Sequence, residues 1–212
     1  MAKKAKENML SKVNGLIGVE ESYKAPAKIM EIISDSEKAK DVFFKFLSEF
    51  NYDLSYEWFY RYFEEEHADR RNNKQDFTPQ CISRLISEIG GCEPQYGVIY
   101  EPAAGTGSTV IAHWWNECRN KCKYPWDYHP EYYLYICEEL SDKTIPFLLF
   151  NLLIRGINAV VVHGNSLTRK VKEVYYCDNE ADSFMSFSTL KILPHSKRVE
   201  NMFGIEFERE DP

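Results

Sequence analysis

One stretch constrains this chain more than any other: Val98-Ile99-Tyr100-Glu101-Pro102-Ala103-Ala104-Gly105-Thr106-Gly107-Ser108. An apolar β-prone run ends in an acid. A Pro-Ala-Ala-Gly-Thr-Gly loop follows, then an apolar segment at helical spacing. That order is strand, tight glycine turn and helix N-terminus, the arrangement in which a backbone approaches a nucleotide-like cofactor.

Two further segments repeat the theme. Tyr132-Tyr133-Leu134-Tyr135-Ile136-Cys137 is β-rich and ends in Glu138-Glu139, and Ala159-Val160-Val161-Val162 ends in His163-Gly164-Asn165-Ser166-Leu167. Helical patterns separate them: Val110, Ile111, Trp114 and Trp115 after Gly107, and Phe147 to Leu153 closing at Gly156. Upstream, Thr78 suits an N-cap and Pro79 the first helical position, with Ile82, Leu85, Ile86 and Ile89 expected to face inward before Gly90-Gly91. Helix, strand, helix, strand, helix, strand predicts a right-handed α/β unit on a parallel sheet. After Thr168 the pattern weakens to short strand candidates at 174–176, 190–193 and 203–207.

In such sheets ligands sit beyond the carboxyl ends of the strands. Glu101 beside Gly105 and Gly107 disfavours a pyrophosphate and suits a cationic amino group. At the second strand end, Glu138-Glu139, a carboxylate suits ribose hydroxyls. The Asn165 amide both donates to and accepts from an adenine edge. Amino group, ribose and adenine together describe S-adenosylmethionine better than NAD.

These residues carry a resemblance. Residues 56 to 168 resemble the cofactor half of adenine-N6 DNA methyltransferases, most of all the modification subunits of type I restriction-modification systems and related phage proteins. Asp76-Phe77-Thr78-Pro79 is similar to the family's Tyr/Phe-Thr-Pro segment, which implies contact of Phe77, Thr78 and Pro79 with the methionine part. Glu101 to Ser108 is similar to Asp-Pro-Ala-x-Gly-Thr-Gly, with Glu for Asp, and implies Glu101, Pro102, Ala103, Gly105 and Gly107 as cofactor-binding. Glu139-Leu140 resembles the ribose-binding acid, and His163-Gly164-Asn165-Ser166-Leu167 resembles Gly-Asp-Ser-Leu, with Asn for Asp. The resemblance implies a Rossmann-like S-adenosylmethionine-dependent methyltransferase fold with an abbreviated sheet and an N-terminal helical extension.

The departure is equally specific. The family's catalytic Asp/Asn-Pro-Pro-Tyr/Phe motif is missing: the chain has nine prolines, none adjacent. Tyr175 to Glu180, where the motif is due, holds none, although Asp178 and Tyr176 offer a divergent acceptor site. No catalytic residue is therefore assigned. Residues 169–212 are too few for the rest of a catalytic domain plus a target-recognition domain. The expected function is an S-adenosylmethionine-binding, DNA adenine-N6 methyltransferase-like protein, incomplete alone or dependent on a partner. The alternative is a non-catalytic phage or prophage protein of the same fold acting on a host restriction or defence complex.

The remaining segments frame this unit. Residues 1–24, polar and lysine-rich, read as a flexible tail; 25–74 as a helical extension; 75–212 as the methyltransferase-like domain. Val42, Phe43, Phe46, Leu47 and Phe50 share one helical face, and a helix over 55–67 carries Trp58, Phe59, Tyr62 and Phe63, a stripe that suits a core. Arg70, Arg71 and Lys74 suit either a solvated helix end or contact with phosphate. Cys118-x3-Cys122 with His113 and His129 nearby reads as a zinc cluster or, more simply, two half-buried thiols, so no metal is expected. Six cysteines without a signal peptide suit reduced thiols in a cytoplasmic protein, and no run of apolar residues is long enough to span a membrane. The net charge of -7 argues against a general grip on nucleic acid while leaving DNA as a partner through a local face.

Overall fold

A computed structural model describes residues 9–68, 78–90 and 97–208. The readings placed on Arg70, Arg71, Lys74 and Phe77 fall outside the described residues.

The helical part comes first. Residues 9–24, read from composition as tail, instead begin with α1 (Met9–Ile17), which buries Val13 and Ile17. Met9, Leu10 and Leu16 pack beside them, so the helix docks through apolar residues that the lysine-rich composition of the N-terminal 24 residues masks. Next come α2 (Ala25–Ile33), with Pro26 in its first turn, and α3 (Ser36–Glu49). The Asp35 side chain caps α3 by accepting from the amides of Glu37 and Lys38. α4 runs over Tyr60–Ala68, starting later than expected, because the Glu57 carboxylate accepts from the amides of Phe59 and Tyr60 and so sets the helix start. The aromatic stripe is core: Phe50 stacks on Trp58 with ring centres 4.7 Å apart, and Phe46 and Phe59 pack on Phe150.

The second part is a six-stranded mixed sheet in the order β1-β2-β3-β4-β5, with β6 also on β4. β1 (Gly97–Glu101), β2 (Tyr133–Glu139) and β3 (Ala159–Gly164) are parallel, as the alternation with helices predicts. β4 (Lys170–Asp178) then runs antiparallel to β3, and β5 (Thr189–Ile192) antiparallel to β4. The reason is connection length. Only residues 165–169 separate β3 from β4, whereas a parallel return needs a crossover of about a dozen residues or more. Gly164 makes the close turn-in feasible, since a Cβ there would lie 2.4 Å from the Lys170 carbonyl. β6 (Glu206–Phe207) pairs in parallel with the start of β4.

Helices cover the two faces unequally. α6 (Ser108–Asn116) and α7 (Ile145–Ile154) line one face, with α5 (Gln80–Gly90) packed on α6; every residue of α7 is buried, because α2 packs on its outer side. One apolar core therefore joins the helical part to that face of the sheet. The other face is covered by α8 (Lys197–Phe203), a helix between the strand candidates at 190–193 and 203–207, capped by the Ser196 hydroxyl and closed by Gly204. α5 corrects an expectation. Its serines, Ser83 and Ser87, are the buried side, while Ile82, Leu85, Ile86 and Ile89 face solvent. No helix among the described residues is long and apolar enough to cross a membrane.

Candidate cofactor site

The parallel strands end together, and the glycine turn folds over those ends. The Ala104 amide donates to the Glu138 carbonyl at 2.9 Å, and the Gly107 amide closes the turn on the Ala104 carbonyl at 2.8 Å. Gly105 and Gly107 both hold positive φ, 56° and 96°, a region that costs any residue with a Cβ. A Cβ at Gly107 would also press on Leu148 at 3.1 Å.

Two of the three strand-end acids are committed to this turn. Glu101 accepts from the Thr109 hydroxyl at 2.7 Å and from the Ala103 amide at 3.4 Å. Glu139 accepts from the Gly105 amide at 2.9 Å through one oxygen and from the Ser141 amide at 2.8 Å through the other. Glu138 points to the opposite face. Arg169 grips both of its oxygens at 2.7 Å, and the Tyr100 hydroxyl donates to it at 3.0 Å. Arg169 also donates to the Phe203 and Gly204 carbonyls, tying α8 to the strand ends. Of the adjacent pair, Glu139 thus faces the glycine turn and Glu138 is a structural anchor.

Asn165 stands in the loop after β3. Its Oδ1 accepts from the amides of Leu167 and Thr168, which builds the turn and fixes the side chain. His163, paired across the sheet with Glu139, is buried, and its Nε2 lies 2.9 Å from Asp142 Oδ1. Burial lowers the His163 pKa, with Asp142 opposing. The Lys172 ammonium holds the Asp142 carboxyl below its ordinary range.

Thr78 and Pro79 lead into α5, whose first turn hydrogen-bonds back to the Pro79 carbonyl. A cavity of about 320 Å³ separates this turn from the start of α6; Glu57, Arg61, Gln80, Arg84 and Ser108 line it. Larger clefts of about 810 and 910 Å³ lie at the outer edge of β4 against α8 and at the N-terminal ends of β1 and β2, neither against the glycine turn.

The N-6 DNA methylase family model matches residues 53–191. The chain belongs to the N-6 DNA methylase family. Members of this family act on DNA and generally use S-adenosylmethionine. No curated protein matches the chain. The methylase match begins ahead of the sheet, at residue 53, and so takes in a buried polar relay that sequence reasoning missed.

That relay supports the glycine turn from behind. Asn151, fully buried on α7, donates to the Thr106 carbonyl at 2.8 Å and to Glu57 at 2.9 Å. Arg155 donates to Asn151 Oδ1 at 2.9 Å and to the carbonyls of Leu54 and Tyr56, with its guanidinium over the Trp58 ring. Burial pushes the Glu57 carboxyl up to about 7, against the pull of Asn151 and the two capping amides. The available signal was a polar residue in an otherwise apolar run, Phe150-Asn151-Leu152, with an arginine four residues on.

Residues 175–178 run away from the glycine turn. β4 is antiparallel, so Cys177 pairs with Ala159 and Asp178 lies at the opposite end of the sheet from the glycine turn. Asp178 is bound by Lys191 at 2.6 Å. Asp178 and Tyr176 therefore do not form a divergent acceptor at this site. Among the described residues no three His, Cys, Asp or Glu side chains gather as metal ligands. His113 pairs with the Tyr135 hydroxyl and His129 with Asp182.

Proposed function

We propose that this chain binds S-adenosylmethionine over the glycine turn and is the methyl-donor half of a DNA adenine-N6 methyltransferase, working in the cytoplasm with a partner that supplies the acceptor side. The observation that carries this reading is the Glu139–Gly105 hydrogen bond, which holds a carboxylate against a glycine backbone at the end of the second strand.

The residues present fit that cofactor. Each Glu139 oxygen uses one lone-pair direction on an amide, leaving acceptor capacity for two ribose hydroxyls. Gly105 and Gly107 offer close approach without side chains. Glu101 supplies negative charge for an ammonium group. Asn165, fixed by its Oδ1, directs its amide nitrogen's donor capacity to an adenine edge. Pro102 and Ala103 shape the turn. Thr78 and Pro79, with Phe77, stand for the methionine end, and Arg61 and Arg84 give a carboxylate two cations across the neighbouring cavity. When bound, the cofactor supplies an electrophilic methyl group; the chain binds, orients and shields it. Isothermal titration of S-adenosylmethionine into the purified chain tests the seat, and no heat of binding at micromolar protein removes it.

A second reading is favoured by the direction of β4, which takes Asp178 away from the site. The chain would then be a non-catalytic phage or prophage protein of methyltransferase fold that engages a host restriction-modification or other defence complex. Labelled methyl transfer to unmethylated DNA separates the two: incorporation by the chain with its partner supports donor-half chemistry, and none in any combination supports the second reading.

A further inference from the structure

The strand that feeds the glycine turn is an edge strand. In doubly wound sheets the strand carrying such a turn stands at the switch point, with a strand on either side. Here β2 takes one side, and among the described residues nothing pairs with the other.

Among the described residues, both faces beside that open edge carry exposed apolar side chains. In the helical layer α7 packs on β3 to β5, α6 reaches β2 through His113 and Tyr135, and α5 packs on α6, so the layer steps toward β1 and past it. α5 meets α6 through Ser83 and Ser87, with the Ser87 hydroxyl bonded to Asn116. Its apolar stripe is left open, with Ile89 74% exposed. On the opposite face, in register with Leu134 and Ile136 of β2, Val98 is 65% and Tyr100 53% exposed. An amphipathic helix that buries serines and exposes isoleucines lacks the surface its apolar side was built to cover. A free strand edge flanked by apolar surface above and below is complementary to a strand that is apolar on both faces.

The residues of this sequence outside the described ones offer no such strand. Residues 1–8 (Met-Ala-Lys-Lys-Ala-Lys-Glu-Asn) and 209–212 (Arg-Glu-Asp-Pro) hold no apolar run, nor do 69–77 and 91–96. A second copy presents the same β1 and no acceptor group. We propose that the free edge of β1, with the α5 stripe above it and Val98 and Tyr100 below, receives a near-continuous apolar β-strand from a separate polypeptide. That strand completes the sheet and, on the donor-half reading given above, delivers the acceptor side to the glycine turn.

The test is photo-crosslinking in cells that make the full chain, with p-benzoylphenylalanine at Ile89 and, as a control at the opposite edge of the sheet, at the exposed Ile192 of β5. The proposal expects one heterologous adduct from Ile89 and not from Ile192, its crosslinked peptide mapping to a run of about five apolar residues. The double variant L85D/V98D, altered at two positions outside the seat, should reduce that adduct about tenfold or more, because an apolar strand leaves the new carboxylates unpaired. No adduct, an adduct between two copies, an adduct mapping to a polar segment, or one unchanged in the double variant overturns it. Titration of S-adenosylmethionine into the same proteins reads the seat independently: loss of cofactor binding with the adduct intact refutes the donor reading alone.

Discussion

Glu139 and Gly105 are joined by a 2.9 Å hydrogen bond from a backbone amide at positive φ to a buried carboxylate. The same carboxylate holds the Ser141 amide, so one side chain fixes the glycine turn and the start of the next loop. E139A leaves both amides without their charged acceptor. It should cost about 1–3 kcal/mol of stability and weaken S-adenosylmethionine binding by about tenfold or more. Urea unfolding and isothermal titration measure the two effects. Unchanged affinity in a folded E139A protein would place the ribose elsewhere.

Gly107 is the turn's steric limit. Its φ of 96° already penalises a Cβ, and the Leu148 side chain at 3.1 Å leaves little room for one. G107A should lower stability by about 1–3 kcal/mol, with cofactor affinity falling further than in E139A because the turn itself shifts. Gly15, in contrast, has open space around its Cβ position and sits in α1, so G15A should be neutral or stabilising by up to about 1 kcal/mol. Thermal unfolding of the two variants side by side decides it.

How much of this was readable in advance follows from what each signal encodes. β2 and β3 were legible because buried strands read as continuous apolar runs that stop at polar strand ends, and β1, although an edge strand with no fully buried residue, because its apolar run stops at an acid before the glycine turn. Glu101, Gly105, Gly107 and Glu139 converge because three such ends must lie side by side. The orientation of α5 was not legible. Periodicity shows that Ile82, Leu85, Ile86 and Ile89 share a face, not whether anything covers it. The antiparallel β4 was hidden in a length: the five residues between Gly164 and Lys170 permit a tight turn and no crossover. Glu57 and Asn151, whose sequence positions are far apart, meet only through tertiary packing.

That meeting makes stability depend on pH. The folded-state pKa of Glu57 is raised from 4.5 to about 7 by burial. A raised pKa means that the folded form favours the proton. Its contribution is therefore fully present below pH 4.5 and is lost as pH rises through about 7. The full swing is on the order of 3 kcal/mol. E57Q, which carries no titrating proton, should lack this component, so the stability difference between wild type and E57Q should move against wild type from about pH 5 to 8. Urea midpoints across that range provide the check, and a pH-independent difference would refute the assignment.

Arg169 should behave differently from the chain's surface cations. It holds both oxygens of Glu138, whose side chain is 3% exposed, and bonds two carbonyls at the end of α8. R169A leaves a buried carboxylate without its cation and frees α8, which should cost about 2–3 kcal/mol. Lys191 also makes 2.6 Å and 2.7 Å ion pairs, with Asp178 and Glu180, but in solvent, where water and salt screen them. K191A should therefore leave the unfolding midpoint nearly unchanged. The two variants separate further with salt: added sodium chloride should shrink any K191A effect and leave most of the R169A loss, because the Glu138 carboxylate stays out of solvent. Equal losses in both would mean that burial of Glu138 does not set the strength of its pair.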